Sequence, residues 1–201
     1  MSIVNLIQSG DLRVVPLMAI DFSMANITFD HGGNMHSSIP TKQNDYRDII
    51  TMIAKAYENI LNLPLFGYAA KTAKHSPKVA SIFPLSRSIR NPFTPNHPSS
   101  LMQTYSDCVN VLEQGFPVNL NPTLAFFRSL GVHNRVRLAR KAEKAPSIKG
   151  TADSFYVLYV LSTGLIDDMD ECMKTLRQDW YALPLQVHII SLAPTHLSVK
   201  D

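Results

Sequence analysis

The sequence predicts an α/β fold, a three-layer sandwich with a mostly parallel central sheet. Two observations carry this. Continuous apolar runs recur along the chain, at VVPLMAI (14–20), SFYVLYVL (154–161) and LPLQVHIISL (183–192). Such runs suit strands buried on both faces, as in parallel sheets. Amphipathic segments of helical period alternate with them, and that alternation predicts helices packed on both faces of one sheet.

The first strand spans 14–20 and ends at Asp21. Pro16 lacks an N–H, so it is expected near the strand start. The preceding IVNLIQSG could add a short edge strand. Residues 26–44 are polar, contain Gly32, Gly33 and Pro40, and read as loop. Asn44 or Asp45 then caps a helix over 45–61, with Ile49, Ile50, Ile53, Tyr57 and Ile60 at helical spacing.

PLFGYAA (64–70) and KVASIFPL (78–85) read as short strands, followed by a Pro- and Ser-rich loop over 86–98. Ser99 or Ser100 caps a helix to about Gln114, stopped by Gly115. Pro122 fits the first turn of a helix over 123–142, with a break expected at Gly131. Strand 154–161 follows, then a helix led by Asp167 or Asp168 to about Trp180, and a last strand over 183–192. Ligand sites in such folds lie on loops at the carboxyl ends of the strands. That directs attention to 21–26, 115–122 and 162–168.

The 201 residues suit a single domain over 1–201. Hydrophobic residues make up 45%, enough for a sizeable core, whereas charged residues are only 17%. With so little charge, either uncharged polar residues cover the outside or a partner covers part of the surface. No apolar run is long enough to span a membrane, and the N-terminus has no secretory pattern. Cys108 and Cys172 form no disulfide framework. They are expected as reduced thiols in a cytoplasmic protein.

The net charge of +3 is unevenly placed. Arg128, Arg135, Arg137, Arg140, Lys141, Lys144 and Lys149 face only Glu143 within 128–149. This basic stretch, with Phe126 and Phe127 beside it, could meet nucleic acid, anionic lipid or an acidic protein. A solvated helical face explains it as well. No phosphate loop, HExxH, CxxC or GxSxG pattern occurs, and seven histidines are scattered without ligand spacing. His31 and His36 share a loop but have no cysteine near them. No catalytic residue is expected.

One constellation carries a resemblance. AIDFSMAN (19–26), directly after the first strand, resembles the Asp-x-Ser-x-Ser motif of the metal-ion-dependent adhesion site in von Willebrand factor A domains. It is closer still to the copine A domain pattern AIDF[ST]xSN. IPTKQNDYRDII (39–50), LFGYAAK (65–71), VLYVLSTGLIDDMDE (157–171) and LPLQVHIISL (183–192) resemble further copine segments in the same order. The likeness runs from about residue 4 to 192. It implies a Rossmann-like A domain that binds other proteins, without the final strand and helix such domains carry. A sheet edge would then be left for a partner to cover.

The resemblance also implies a damaged metal site. Asp21 and Ser23 match ligand positions. Ala25 replaces a hydroxyl, Val118 falls at the threonine of the second loop, and Thr163 replaces an aspartate. Asp21, Ser23, Asn26, Asn119 and Thr163 remain as a polar rim, with Thr123 a possible substitute oxygen. Mg²⁺ prefers near-octahedral oxygens with one or two carboxylates, so this set could hold at most a weak ion. No cofactor is expected. Asp21 could equally cap a turn. Asp167, Asp168, Asp170 and Glu171 stand at a helix start, where negative charge is favoured. The expected role is a non-enzymatic interaction or scaffold domain within a larger cytosolic assembly. A metal-dependent binding domain and a polyanion-binding domain are the alternatives.

Overall fold

The first apolar run becomes β1, Leu12–Asp21, buried from Pro16 onward. The computed structural model describes residues 12–28, 33–37, 44–73, 76–88, 90–143, 153–178 and 180–192. The segment IVNLIQSG and residue Lys144 lie outside the described residues. After β1 the chain makes a 3-10 turn at Met24–Asn26 and a small antiparallel pair, β2 (Ile27–Thr28) with β3 (Gly33–Asn34).

Helix α1 is Asp45–Ala56. Asn44 caps it by accepting a hydrogen bond from the Arg47 N–H at 3.0 Å. It ends before the expected 61 because residues 57–59 form turns, held by Ile60 N–H to Tyr57 carbonyl at 2.9 Å. The next strand, β4, is Asn62–Tyr68, and β5 is Ala70–Lys71, with Ala69 between them at φ 57°.

The run KVASIFPL is not one strand. It gives an isolated bridge at Ala80 and the two-residue β6, Phe83–Pro84, while β7 is Phe93–Pro95. β6 and β7 pair antiparallel with opposite halves of β4. Helix α2 is Pro98–Val111, begun at His97 with Pro98 in its first turn, not capped by Ser99 or Ser100. It stops before Gly115 because Glu113–Gln114 form β8, which pairs with β5.

Helix α3 runs unbroken over Asn121–Glu143. Gly131 does not interrupt it. It is buried, and a Cβ there would sit 3.3 Å from Leu183 Cδ1, so the glycine lets the helix close on the sheet. β9 is Asp153–Ser162, helix α4 is Met169–Leu176, and β10 is Leu185–Ser191. Trp180 belongs to a 3-10 turn, not to α4.

The main sheet has the order β10-β9-β1-β4-β6. β10, β9, β1 and β4 are mutually parallel, and only β6 and β7 run against them. The fold is the expected α/β sandwich with a mostly parallel sheet flanked by helices. Pro16 lies inside β1, not near its start. β4 joins β1 only from Met18, so on that flank there is no ladder for the missing N–H to break.

Side chains alternate along the strands, so each face of the sheet has its own core. Met18, Ile20, Leu63 and Leu65 pack beneath α1 and α2 with Tyr46, Ile50 and Leu101. Leu17, Ala19, Phe66, Leu158 and Val160 pack beneath α3 and α4 with Leu124, Phe127 and Cys172. Each fully buried Leu or Phe contributes about 2 kcal/mol of transfer free energy. Cys108 and Cys172 are free and buried in different cores. Among the described residues no helix is long and apolar enough to cross a membrane.

Candidate functional site

The three loops singled out in the sequence meet at the carboxyl end of the sheet. Ser23 bridges to Gly115, and the Met24 N–H donates to the Gly115 carbonyl at 2.9 Å. Gly115 in turn donates to the Ala69 carbonyl at 3.0 Å. A Cβ at Gly115 would stand 2.7 Å from that same oxygen, so only glycine fits this approach.

Asp21 sits at the centre and is 0% exposed. One carboxylate oxygen, Oδ1, accepts the Ser23 N–H at 2.8 Å. The other, Oδ2, accepts the Thr163 N–H at 3.2 Å and the Thr163 hydroxyl at 3.1 Å. Its backbone carbonyl accepts Asn26 Nδ2 at 3.1 Å and His36 Nε2 at 2.6 Å. Burial raises the Asp21 carboxyl above its ordinary value, against the lowering effect of these donors. Burial and the nearby Asp21 also hold the Tyr46 and Tyr68 phenols well above the usual range.

His36 is a core residue, which its place in a polar loop did not reveal. Its ring stacks on Phe22 at 4.6 Å and on Tyr46 at 4.3 Å. Since Nε2 donates to the Asp21 carbonyl, Nδ1 is the acceptor for the Tyr105 hydroxyl at 2.7 Å. Burial lowers its pKa to about 4, so it is neutral at physiological pH.

The remaining sequence-predicted rim residues divide. Ser23 and Asn26 lie beside Asp21, and both are fully buried. The Ser23 side chain sits against the Asp21 carboxyl and the Asn26 side chain against the Tyr46 hydroxyl. Asn119 does not join them. It lines a separate depression with Pro77, Val79 and Phe116. Thr123 is also elsewhere, its hydroxyl spent on the Ser81 carbonyl at 2.5 Å. Val118 packs its methyl groups into the core beneath α3.

The acidic cluster of the third loop acts across the chain. The Asp168 carboxylate accepts the Leu120 N–H at 2.8 Å and the Asn121 N–H at 2.9 Å. It thereby caps α3, whose first N–H groups have no partner within the helix. It makes no side-chain cap to its own helix α4. Asp167 accepts the Val118 N–H at 2.6 Å and returns its own N–H to the Val118 carbonyl at 3.0 Å. Burial and Asp168 push the Cys172 thiol up to about 12.

Each of the three loops also carries an exposed apolar side chain. Met24 of the first loop, Phe116 of the second, and Leu165 of the third are exposed, Phe116 at 65% and Leu165 at 59%. Met169 and Met173 on α4 are exposed beside them in sequence. Sequence reasoning missed this rim. The available signal was large apolar residues in loops otherwise built from small and polar ones.

At 3.6 residues per turn, a continuous helix places Arg128 and Arg135 on one side of α3 and Arg137, Arg140 and Lys141 around the other. Arg128 is half-buried, whereas Arg135 and Arg137 are exposed, with Arg137 donating to Asn134 Oδ1 at 3.0 Å. Arg140 and Lys141 lie on the last turns of α3; their side chains, like Lys144, lie outside the described residues.

No family model matches the sequence. Among solved structures the chain is similar to the manganese-loaded Plasmodium vivax TRAP protein, at 10% identity and a TM-score of 0.44. The match covers 93% of this chain and 60% of that one, so the chain spans less than two thirds of the length of the structure it matches.

Proposed function

We propose that this chain is a copine-like von Willebrand A domain whose metal site is degenerate, and that it works by binding protein through its three carboxyl-end loops. One observation carries the reading. The polar centre is turned inward, while the loops around it present Met24, Phe116 and Leu165 to solvent. Large exposed apolar groups, one on each of three loops that meet, suit a protein contact.

The donor set does not fit a divalent ion. Asp21 is the single carboxylate of the set, and three hydrogen bonds from Ser23 and Thr163 already take up much of its acceptor capacity. Ser23 Oγ and Asn26 Oδ1 are neutral and supply no charge to offset dehydration. Position 118 supplies methyl groups. His36 uses both ring nitrogens inside the core and so offers no general base to Asp21 or Ser23. A scaffold role within a larger cytosolic assembly accords with the low content of charged residues.

The test is affinity purification of the wild type beside a Met24→Asp, Phe116→Asp, Leu165→Asp variant that melts at the same temperature. Partners recovered with the wild type and lost with the variant support the reading. An unchanged partner set overturns it. Calorimetric titration with Mg²⁺, Mn²⁺ and Ca²⁺ tests the metal clause. Binding tighter than about 0.1 mM that vanishes in Asp21→Ala contradicts it.

A further inference from the structure

On the α3 face of the sheet lies an open cavity of about 730 Å³. It runs across three adjacent parallel strands, from the start of β1 and β9 to Thr72 and Ala80 beside β5. Arg13, Val15 and Leu17 of β1, Ser154 and Tyr156 of β9, and Asn62, Pro64 and Phe66 of β4 all line it. These residues alternate along each strand, so they project to one face, the face that α3 covers. The wall is completed by Phe126 and Leu130 of α3 and by the segment around Phe83 and Phe93.

The two faces of the sheet differ here. Beneath α1 and α2, Leu63 and Leu65 are 0% exposed. On the α3 face, Val15, Tyr156, Ile82, Phe126 and Leu130 are only half-buried against their core. The volume lies within the range of small-molecule sites, which are mostly apolar with a few placed polar groups.

The polar groups define the ligand. Arg13 is the sole charged side chain among the described lining residues, and it is exposed at the strand start. Ser154 lies opposite it in the β1–β9 register. No acidic side chain is among the described lining residues. Deeper in, Phe66 stands 5.8 Å from Phe126, and the surroundings are rings and aliphatic groups. A cation at the mouth of an aromatic cavity selects an anionic head on an apolar body.

We propose that this cavity binds a free long-chain carboxylate, with its tail among Phe66, Phe126 and Leu130 and its carboxylate on Arg13. The site is separate from the three loops and goes beyond the protein-binding reading.

The experiment is displacement of anilinonaphthalene sulfonate fluorescence by oleate and, separately, by oleyl alcohol, both below their aggregation concentrations. Oleate should displace the probe from the wild type about tenfold more effectively than the alcohol, the size expected for one charge-assisted contact. Arg13→Ala, at an exposed position, should remove that tenfold advantage while leaving the alcohol unchanged. Leu130→Trp should weaken both by filling the cavity, with the melting temperature checked. A wild type that ignores oleate overturns the proposal. So does oleate binding that Arg13→Ala leaves unchanged, which would place the ligand elsewhere or on a vesicle-like surface.

Discussion

Asp21 Oδ2 accepts both the backbone N–H and the hydroxyl of Thr163, at 3.2 and 3.1 Å, across 142 residues of sequence. The pair ties the end of β1 to the end of β9. Its two halves can be separated experimentally. Thr163→Val keeps the backbone bond and removes the hydroxyl. It should cost roughly 1–2 kcal/mol in urea unfolding, the usual loss for a bond to a charged group in a buried site. Thr163→Asp should cost more, because it sets a second carboxylate against one whose pKa burial already raises. Excess Mg²⁺ should not restore its melting temperature.

Asp168 should matter more to α3 than to α4. Asp168→Asn leaves one acceptor for the Leu120 and Asn121 N–H groups and reduces the charge at the helix start. A loss of about 1–2 kcal/mol is expected, within the range of N-cap substitutions. Hydrogen exchange should quicken in the first turn of α3 and stay unchanged in the first turn of α4.

His36 gives the fold an acid-sensitive term. The unfolded chain takes up its proton below about 6.5, but the buried ring resists until about 4. Stability from this residue is therefore complete above the unfolded value and is lost as pH falls through that window, by about 3 kcal/mol in all. Asp21 has the opposite sign, because its raised folded pKa favours the fold at low pH. The two are separated by comparing urea midpoints of wild type and His36→Phe from pH 7 to pH 4. The variant should have the shallower dependence.

Gly115→Ala should loosen the rim. The added Cβ would stand 2.7 Å from the Ala69 carbonyl oxygen, which is backbone and cannot rotate away. A destabilisation of about 1–3 kcal/mol is expected from calorimetric melts. The accompanying shift of Met24 and Phe116 should weaken partner recovery beyond the loss of stability.

Much of the fold was legible because local rules agreed with global ones. The runs at 14–20, 154–161 and 183–192 lie within or around β1, β9 and β10 with small shifts at their ends. Asn44 caps α1 as its residue type predicts. KVASIFPL misled because apolar composition does not reveal whether a strand has neighbours over its length. Gly131 misled because a helical glycine can mean close packing as easily as a break.

The candidate site was legible in part. The motif at 19–26 and its companions located three loops, and these loops do meet. Nothing in the sequence placed Asn119 on a different surface, or turned Asp168 toward α3 and not its own helix. Side-chain direction across loops depends on chain segments far apart in sequence.

The sequence by itself determined the order of the main strands and helices, the mostly parallel sheet, and the position of Asp21 at the end of a buried strand. Apolar period, capping residues and turn residues act locally, so their information survives in one dimension. Only the tertiary structure decided that Asp21 is consumed by Thr163 and Ser23, that His36 is a neutral core ring, that Met24, Phe116 and Leu165 face solvent, and that the α3 side of the sheet holds a cavity. Burial and hydrogen-bond partnership are set by which distant segments pack together, and no spacing along the chain encodes that directly.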